Sequence, residues 1–405
     1  MNIIILNDYA SVRGGSAQVA IKSAVGLADL GYPVVFVYGG GEVVSALDHR
    51  NITLVNLGQY DLLSNPSKID SAKNGLWNFT VEKKLLSFLK QFDVRNTVVH
   101  IHSWVKSLSI SVFSVVFQLN LPFVVTLHDY FSVCPNGGFY NYPQEKICLC
   151  KPMSTQCLLA NCDARSYFHK LWRSVRQILY SCSKFPYNVT NFITVSKYSE
   201  QILRRYLPSD SVYWRINNPV ESIQSYPATP RNSQIFTYIG RLSKEKGLEL
   251  LTGLKKFTGE SFRFVGVGDL EPILKDFFPE AKFLGWCDWP EIDCALRDTR
   301  ALLFTSQLYE TQGLVVAEAA ARGVPAIVSD VTAAKDFVEH KKTGLLFKSG
   351  SVESLEEQML LASADDSLVE SMGIECYNRY WGSPLSLSLH LKSLLSCYDI
   401  IIRQK

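Results

Sequence analysis

The stretch F-T-S-Q-L-Y-E-T-Q-G-L-V-V-A-E-A-A-A-R-G-V-P-A-I-V-S-D, residues 304–330, carries the densest local signal in this 405-residue chain. It reads as strand, loop, helix, strand. Leu302, Leu303 and Phe304 end an apolar run, and residues 305–313 are mostly polar. Residues 314–321 have helical character, Gly323 stops them, residues 325–328 begin a second strand, and Asp330 ends it. The first backbone N–H groups of a helix have no partner inside it, and the helix dipole favours an anion there. Gly313, Leu314 and Val315 therefore read as a phosphate seat. Glu310 and Glu318 bracket it. An ionised carboxylate only accepts hydrogen bonds, which suits sugar hydroxyls. Phosphate in the middle and hydroxyls at both ends describe a sugar nucleotide. The plainer alternative makes Glu310 a helix cap and Glu318 a solvated helix residue.

A second segment points the same way. Residues 235–239 form a strand that enters G-R-L-S-K-E-K-G, residues 240–247, and then a helix. Arg241 and Lys246 beside a helix start suit a diphosphate, Arg by its planar fork and Lys as a point charge. Two Glu separated by seven residues, the following A-x-G-V-P-A-I-x-S-D and the segment G-R-L-x-x-x-K-G together resemble the retaining glycosyltransferases of the GT-B fold, in particular the family 4 group. The resemblance implies that Glu310 holds the donor sugar, Glu318 the ribose, and Arg241 with Lys246 the donor pyrophosphate. It further implies that Gly266 and Gly268 turn near the nucleotide and that Trp286 lies beside the base. One feature departs from the family. Gly-Phe-Gly usually follows the first Glu, whereas this chain has Thr311, Gln312 and Gly313, so donor preference at this place is its own.

Composition agrees with an enzyme of ordinary globular type. The chain is 47% hydrophobic and 20% charged, with a net charge of +3, which gives no reason to invoke nucleic acid. Its beginning, M-N-I-I-I-L-N-D-Y, lacks a basic stretch and a long apolar run, and reads as a buried first strand rather than a signal peptide. A cytoplasmic protein, peripheral at the inner face of a membrane, is the expectation. The apolar window 108–127 reads as a helix to Gln118, a turn at residues 120–122 and a strand, not as a membrane span.

The first half repeats the strand–loop–helix pattern. Residues 3–6 run into a loop with Gly14 and Gly15, then a helix that Gly31 stops, then the strand 34–38. This is the βαβ unit of a parallel sheet, although G-x-G-x-x-G is absent, which disfavours a nicotinamide dehydrogenase. By resemblance Gly14 and Gly15 face the donor phosphates and the acceptor; otherwise they only make a tight turn. His100, His102 and Trp104 end another strand, where a histidine is more often structural. The strand 124–127 delivers His128 and Asp129 to its C-terminal end, where open parallel sheets bind ligands. A histidine there can exchange protons near neutral pH. The resemblance places His128 against the donor sugar across the cleft.

Two further segments stand out. Cys134, Cys148, Cys150, Cys157 and Cys162 crowd one loop-like insertion, residues 134–162. They suit a structural zinc, although the close pair is C-x-C; unligated thiols or redox behaviour are the alternatives. In residues 165–180 apolar side chains recur at helical spacing, with Arg165, Lys170, Arg173 and Arg176 over the remaining surface up to Tyr180. This is either a basic amphipathic helix on an anionic membrane or a core-facing helix with a solvated basic face. Residues 217–230, rich in Asn, Pro and Ser, read as a linker.

The expected fold is thus α/β, GT-B, with two Rossmann-like doubly wound parallel-sheet domains facing an interdomain cleft. Residues 1–216 form the acceptor-side domain, 231–380 the nucleotide-sugar domain, and 381–405 a terminal helix packing back on the first. The expected reaction is transfer of a sugar, with retention, from a nucleotide-diphosphate sugar to a hydroxyl of a glycan or lipid-linked glycan, with His128, Glu310, Arg241 and Lys246 at the chemistry and no catalytic cofactor. A sugar-nucleotide epimerase of the same fold and a non-catalytic sugar- or lipid-binding protein are the rival readings.

Overall fold

The structure, a computed structural model, describes residues 1–404. By contact the chain divides into two compact units. The first comprises Met1–Gly137, Cys150–Pro219 and the chain from Leu387 onward; the second comprises Gly138–Leu149 and Val220–Ser386. The boundaries differ from the sequence expectation in two places. Gly138–Leu149 leaves the first unit to join the second. Trp381 also stays with the second, because its indole N–H donates to the Ala321 carbonyl at 2.9 Å.

Among the described residues the first unit is built on a seven-stranded sheet and the second on a six-stranded one, both parallel throughout. In the first unit the chain lays down β1 (Asn2–Asn7), β2 (Val34–Tyr38), β3 (Ile52–Asn56), β4 (Thr97–Ile101) and β5 (Phe123–Leu127). A short antiparallel hairpin, β6 (Tyr140–Asn141) and β7 (Lys146–Ile147), belongs to the second unit. The first sheet then resumes with β8 (Asn191–Thr194) and β9 (Val212–Arg215), giving the order β3-β2-β1-β4-β5-β8-β9. The strands are apolar runs because both faces are covered: Ile3, Ile4, Ile5 and Leu6 are all fully buried. The order reverses between β1 and β4, and ligand sites in such sheets gather outside the strand ends at this switch point. The window 108–127 resolves into the helix Ser111–Leu119, a left-handed cap at Asn120 and β5.

The second sheet contains β10 (Phe236–Ile239), β11 (Phe262–Val265), β12 (Lys282–Gly285), β13 (Ala301–Phe304), β14 (Ala326–Ser329) and β15 (Gly344–Phe347). Its order is β12-β11-β10-β13-β14-β15, so its switch point lies between β10 and β13. The loops after these two strands hold the two segments with which the sequence analysis began.

The last helix, Leu387–Arg403, is part of the first unit. Leu391 lies over Gly26 of the helix Gly15–Asp29, where an added Cβ would meet Leu391 Cδ1 at 2.6 Å. Leu394, Cys397, Tyr398 and Ile401 are buried in the same apolar cluster as Ile3, Ile5 and Phe36. The helix therefore completes the first unit's core. Leu394 has no exposed surface. Replacing it with Ala is expected to destabilise this unit by about 2–5 kcal/mol, read as a lower urea midpoint with an unchanged slope.

Candidate functional site

The second unit's site is built by two loops that touch. The loop after β10 makes a 3-10 turn at Lys244–Lys246 and ends on Gly247 at φ +70°. An added Cβ on Gly247 would lie 2.2 Å from the carbonyl oxygen of Thr305, just past β13. Thr305 Oγ1 donates to the Lys246 carbonyl at 2.7 Å. This approach sets Lys246 Nζ directly against Glu310 Oε1 in an ion pair, and Ser306 Oγ donates to the same oxygen at 2.8 Å. Lys246 and Glu310 are each about one-fifth exposed, with side chains at 22% and 18%.

Arg241 precedes this pair and is far more open, 67% exposed. Its guanidinium donates to Glu245 Oε1 at 2.8 Å, and Ser243 Oγ donates to that oxygen at 2.9 Å. Gly266 and Gly268 are required by close packing rather than by a ligand alone. Added Cβ atoms there would lie 2.0 Å from Gly240 O and 2.2 Å from Leu242 O. Gly240 itself adopts φ +149°. The turns after β10 and β11 are thus stitched together, with Leu242 N donating to Val267 O at 3.0 Å. Trp286, in the loop after β12, is 77% exposed.

Gly313 stands at the N-terminus of the helix Leu314–Ala320 with φ +77°, and no side chain caps that end. Its Cβ position would be 2.5 Å from Ala334 Cβ, so only glycine fits there. Thr311 is half-buried and Gln312 buried, while Leu314, Val315 and Glu318 are half-buried. Arg241, Lys246, Glu310, the Gly313 helix end and Glu318 therefore all belong to the C-terminal edge of one sheet. Ser306 and Glu245, which hold two of these side chains, were missed from the sequence. Ser306 lies four residues before Glu310 and Glu245 four after Arg241, but no pattern distinguishes them from solvated loop residues.

Gly14, Gly15 and His128 belong to the first unit. Gly14 caps the helix Gly15–Asp29 at φ +134°, and an added Cβ at either glycine would meet nothing within 4 Å. Open space at the start of a fifteen-residue helix is compatible with an anion close to the backbone. His128 Nε2 is paired with His102 Nδ1 at 2.9 Å. Burial, reinforced by the charge His390 would carry, lowers the His128 pKa to about 3. It is thus neutral at pH 7 and bonded to His102. His100 is structural: it bridges Tyr398 OH at 2.5 Å and Thr126 Oγ1 at 2.6 Å, tying the last helix to the sheet. Burial lowers the His100 and His102 pKa values as well. Asp8 at the end of β1 accepts backbone N–H bonds from Lys106, Ser107 and Leu108 and shapes the adjacent loop.

Among the described residues no group of three or more His, Cys, Asp or Glu side chains gathers to hold a metal. The cysteines are spread over different elements. Cys148 follows the hairpin of the second unit, Cys150 lies in the first, and Cys157 Sγ accepts from Lys170 Nζ at 3.3 Å. Cys134 and Cys162 are buried in the first unit, and Asn136, two residues from Cys134, donates from Nδ2 to the Cys162 carbonyl at 2.6 Å.

Two outcomes test this geometry. Gly247→Ala costs about 1–2 kcal/mol from the left-handed backbone alone, and its clash with Thr305 displaces Lys246. Thermal unfolding is expected to show the loss. Asp129, half-buried beside His128, has its pKa raised to about 6 by burial. The folded state then holds a proton that the unfolded chain releases, so stability falls as pH rises from the ordinary carboxylate range through about 6. Asp129→Asn is expected to remove this fall, which melting curves of both proteins from pH 4 to 8 would reveal.

Comparison with known proteins matches this architecture. The family model described as Glycosyltransferase Family 4 matches residues 13–222, and that described as Glycosyl transferases group 1 matches residues 221–379. A GDP-mannose-dependent alpha-mannosyltransferase of Mycobacterium tuberculosis is 31% identical over 125 residues, covering 31% of this chain and 33% of that protein. The capsular polysaccharide biosynthesis glycosyltransferase CapM of Staphylococcus aureus is 26% identical over 168 residues, 39% of this chain and 43% of that protein. The chain thus spans a third of the length of the first and under half of the second. Anabaena Alr3699/HepE, solved in complex with UDP and glucose, superposes with a TM-score of 0.67 at 15% identity, covering 98% of this chain and 99% of that one. At that identity the likeness concerns the fold, which is GT-B, with two Rossmann-like parallel-sheet units. Since the first family model alone spans a little over half of its length, the chain belongs to glycosyltransferase family 4.

Proposed function

We propose that the protein transfers a sugar, with retention of configuration, from a nucleotide-diphosphate sugar to a hydroxyl of a growing cell-surface polysaccharide or lipid-linked oligosaccharide. The observation that carries this reading is the Lys246–Glu310 pair at the switch point of the second sheet, with Arg241 open beside it. One carboxylate and two cations at a glycine-framed strand edge match the chemistry of a sugar joined to a diphosphate. The UDP and glucose bound to HepE and the capsular polysaccharide role of CapM support the donor class and the acceptor class.

In this reading Arg241, Lys246 and the amides at the Gly313 helix end take up the negative charge of the departing nucleoside diphosphate. Glu310 accepts from a sugar hydroxyl and Glu318 from the ribose. The bond from the anomeric carbon to the phosphate oxygen breaks, and the acceptor oxygen attacks the same face within a short-lived ion pair. The released phosphate oxygen takes the acceptor's proton, so atoms and charge balance without a protein nucleophile. A neutral His128 contributes a hydrogen bond rather than a proton. Two fixed cations supply the positive charge at the leaving group, so the scheme asks for no divalent ion.

Arg241→Ala and Lys246→Ala are each expected to lower kcat/KM by about 100-fold or more while far-UV circular dichroism stays unchanged. Near-normal turnover in both variants would reject the assignment. Turnover is also expected to persist in EDTA. The anomeric configuration of the product, read by NMR, separates retention from inversion, and an epimer formed from donor alone would favour the epimerase reading.

A further inference from the structure

The helix Tyr167–Cys182 is turned inside out. Its charged and polar residues face inward: Lys170 is fully buried, and Arg176 is 3% exposed. Its apolar residues face outward, with Phe168 at 81%, Leu171 at 38%, Val175 at 46% and Ile178 at 51% exposure. A core-facing helix with a solvated basic face is therefore not what the chain forms.

The inner face is pinned. Lys170 Nζ donates to Cys157 Sγ at 3.3 Å, Gln177 Nε2 to Ser132 O at 3.1 Å, and Trp172 Nε1 to Ala72 O at 3.2 Å. The Arg176 guanidinium lies over the rings of Phe131, Trp172 and Tyr180 at 5.0, 5.4 and 5.9 Å. Rotating the helix to hide its apolar stripe would break all of these and leave buried charges without partners.

The stripe has the spacing i, i+3, i+7, i+10 of a single helix face, a run of about 15 Å. Its own stretch of chain is one-signed, and the neighbouring helix Lys68–Leu76 adds exposed Lys68 and Lys73 against one exposed acid, Asp70. From Ala164 to Ser199 the chain contains no Asp or Glu, and the exposed Arg165 and Lys184 stand beyond the two ends of the helix. An apolar face with cationic flanks fits the interface of an anionic bilayer, where apolar side chains sink below the headgroups and cations meet phosphates. A protein partner or a second copy would have to supply acids; a lipid surface supplies them throughout.

We infer that the outward face of the helix Tyr167–Cys182, centred on Phe168, Val175 and Ile178, docks the first unit on an anionic lipid surface. This does not rest on the transfer reading, because docking requires neither donor nor acceptor.

The test is sedimentation of the full chain with vesicles of phosphatidylcholine alone and of equal parts phosphatidylcholine and phosphatidylglycerol, at low and high salt. Wild type is expected to bind the anionic vesicles about tenfold more tightly than the neutral ones, with high salt erasing much of the difference. Phe168→Ser with Val175→Ser and Ile178→Ser is expected to lose about tenfold in binding with the fold retained by far-UV circular dichroism, since Phe168 is 81% exposed and the other two about half. Arg165→Glu with Lys184→Glu is expected to abolish the preference for anionic lipid. The inference fails if the triple variant binds as tightly as wild type. It also fails if wild type is a dimer that ignores vesicles and the triple variant is a monomer, which would make the stripe a contact between copies. A protein that binds vesicles but transfers no sugar would uphold the docking and reject only the transfer reading.

Discussion

The second unit's site depends on one close approach, between the turn that ends at Gly247 and the backbone of Thr305. A side chain at residue 247 cannot fit, since its first carbon would sit 2.2 Å from a carbonyl oxygen. With glycine there, Thr305 bonds the Lys246 carbonyl and Lys246 meets Glu310. The strand ends at the switch point of the sheet are thereby joined through their loops. The result is a partly buried ion pair held by Ser306, while Arg241 pairs with Glu245 next to Lys246. Removing one partner of such a pair leaves the other charge partly buried and uncompensated.

The first unit solves a different problem, that of burying imidazoles. His100, His102 and His128 sit at adjacent strand ends, and each is held neutral by its surroundings. Neutral imidazole can donate from one nitrogen and accept at the other, so His102 and His128 bond each other, and His100 joins Thr126 to Tyr398. The last helix is thus tied to the sheet by a polar contact as well as by the apolar cluster around Leu391 and Leu394. His390 of the same helix bonds Ser23 Oγ at 3.0 Å and the Asn217 carbonyl at 2.8 Å, which fixes it at both sides.

Much of the fold was legible before any coordinates. The βαβ units appear in the sequence as apolar runs, glycine turns and helical periods, because parallel strands buried on both faces must be apolar throughout. The turn at Asn120 and the strand after it were readable for the same local reason. Arg241, Lys246, Glu310 and Glu318 stood out as a set through their resemblance to the family's motifs, and the structure sets Lys246 against Glu310. Their partners Glu245 and Ser306 did not stand out, since a loop acid or serine carries no sign of what it will meet in space.

The sequence by itself determined the parallel-sheet architecture and the glycine-framed turns, consequences of contacts close along the chain or of a repeating burial pattern. Only the tertiary structure decided three other matters. It directed the apolar stripe of Tyr167–Cys182 outward, because Lys170, Arg176 and Gln177 meet Cys157, Phe131 and Ser132 on other elements. It moved Gly138–Leu149, with Cys148, into the second unit, where Glu145 pairs with Lys244 at 2.9 Å. It also made His128 a neutral hydrogen-bonding group, because burial depends on packing from every side. Helical spacing tells which residues share a face. Which face the core accepts is settled by the hydrogen bonds and charge contacts waiting there.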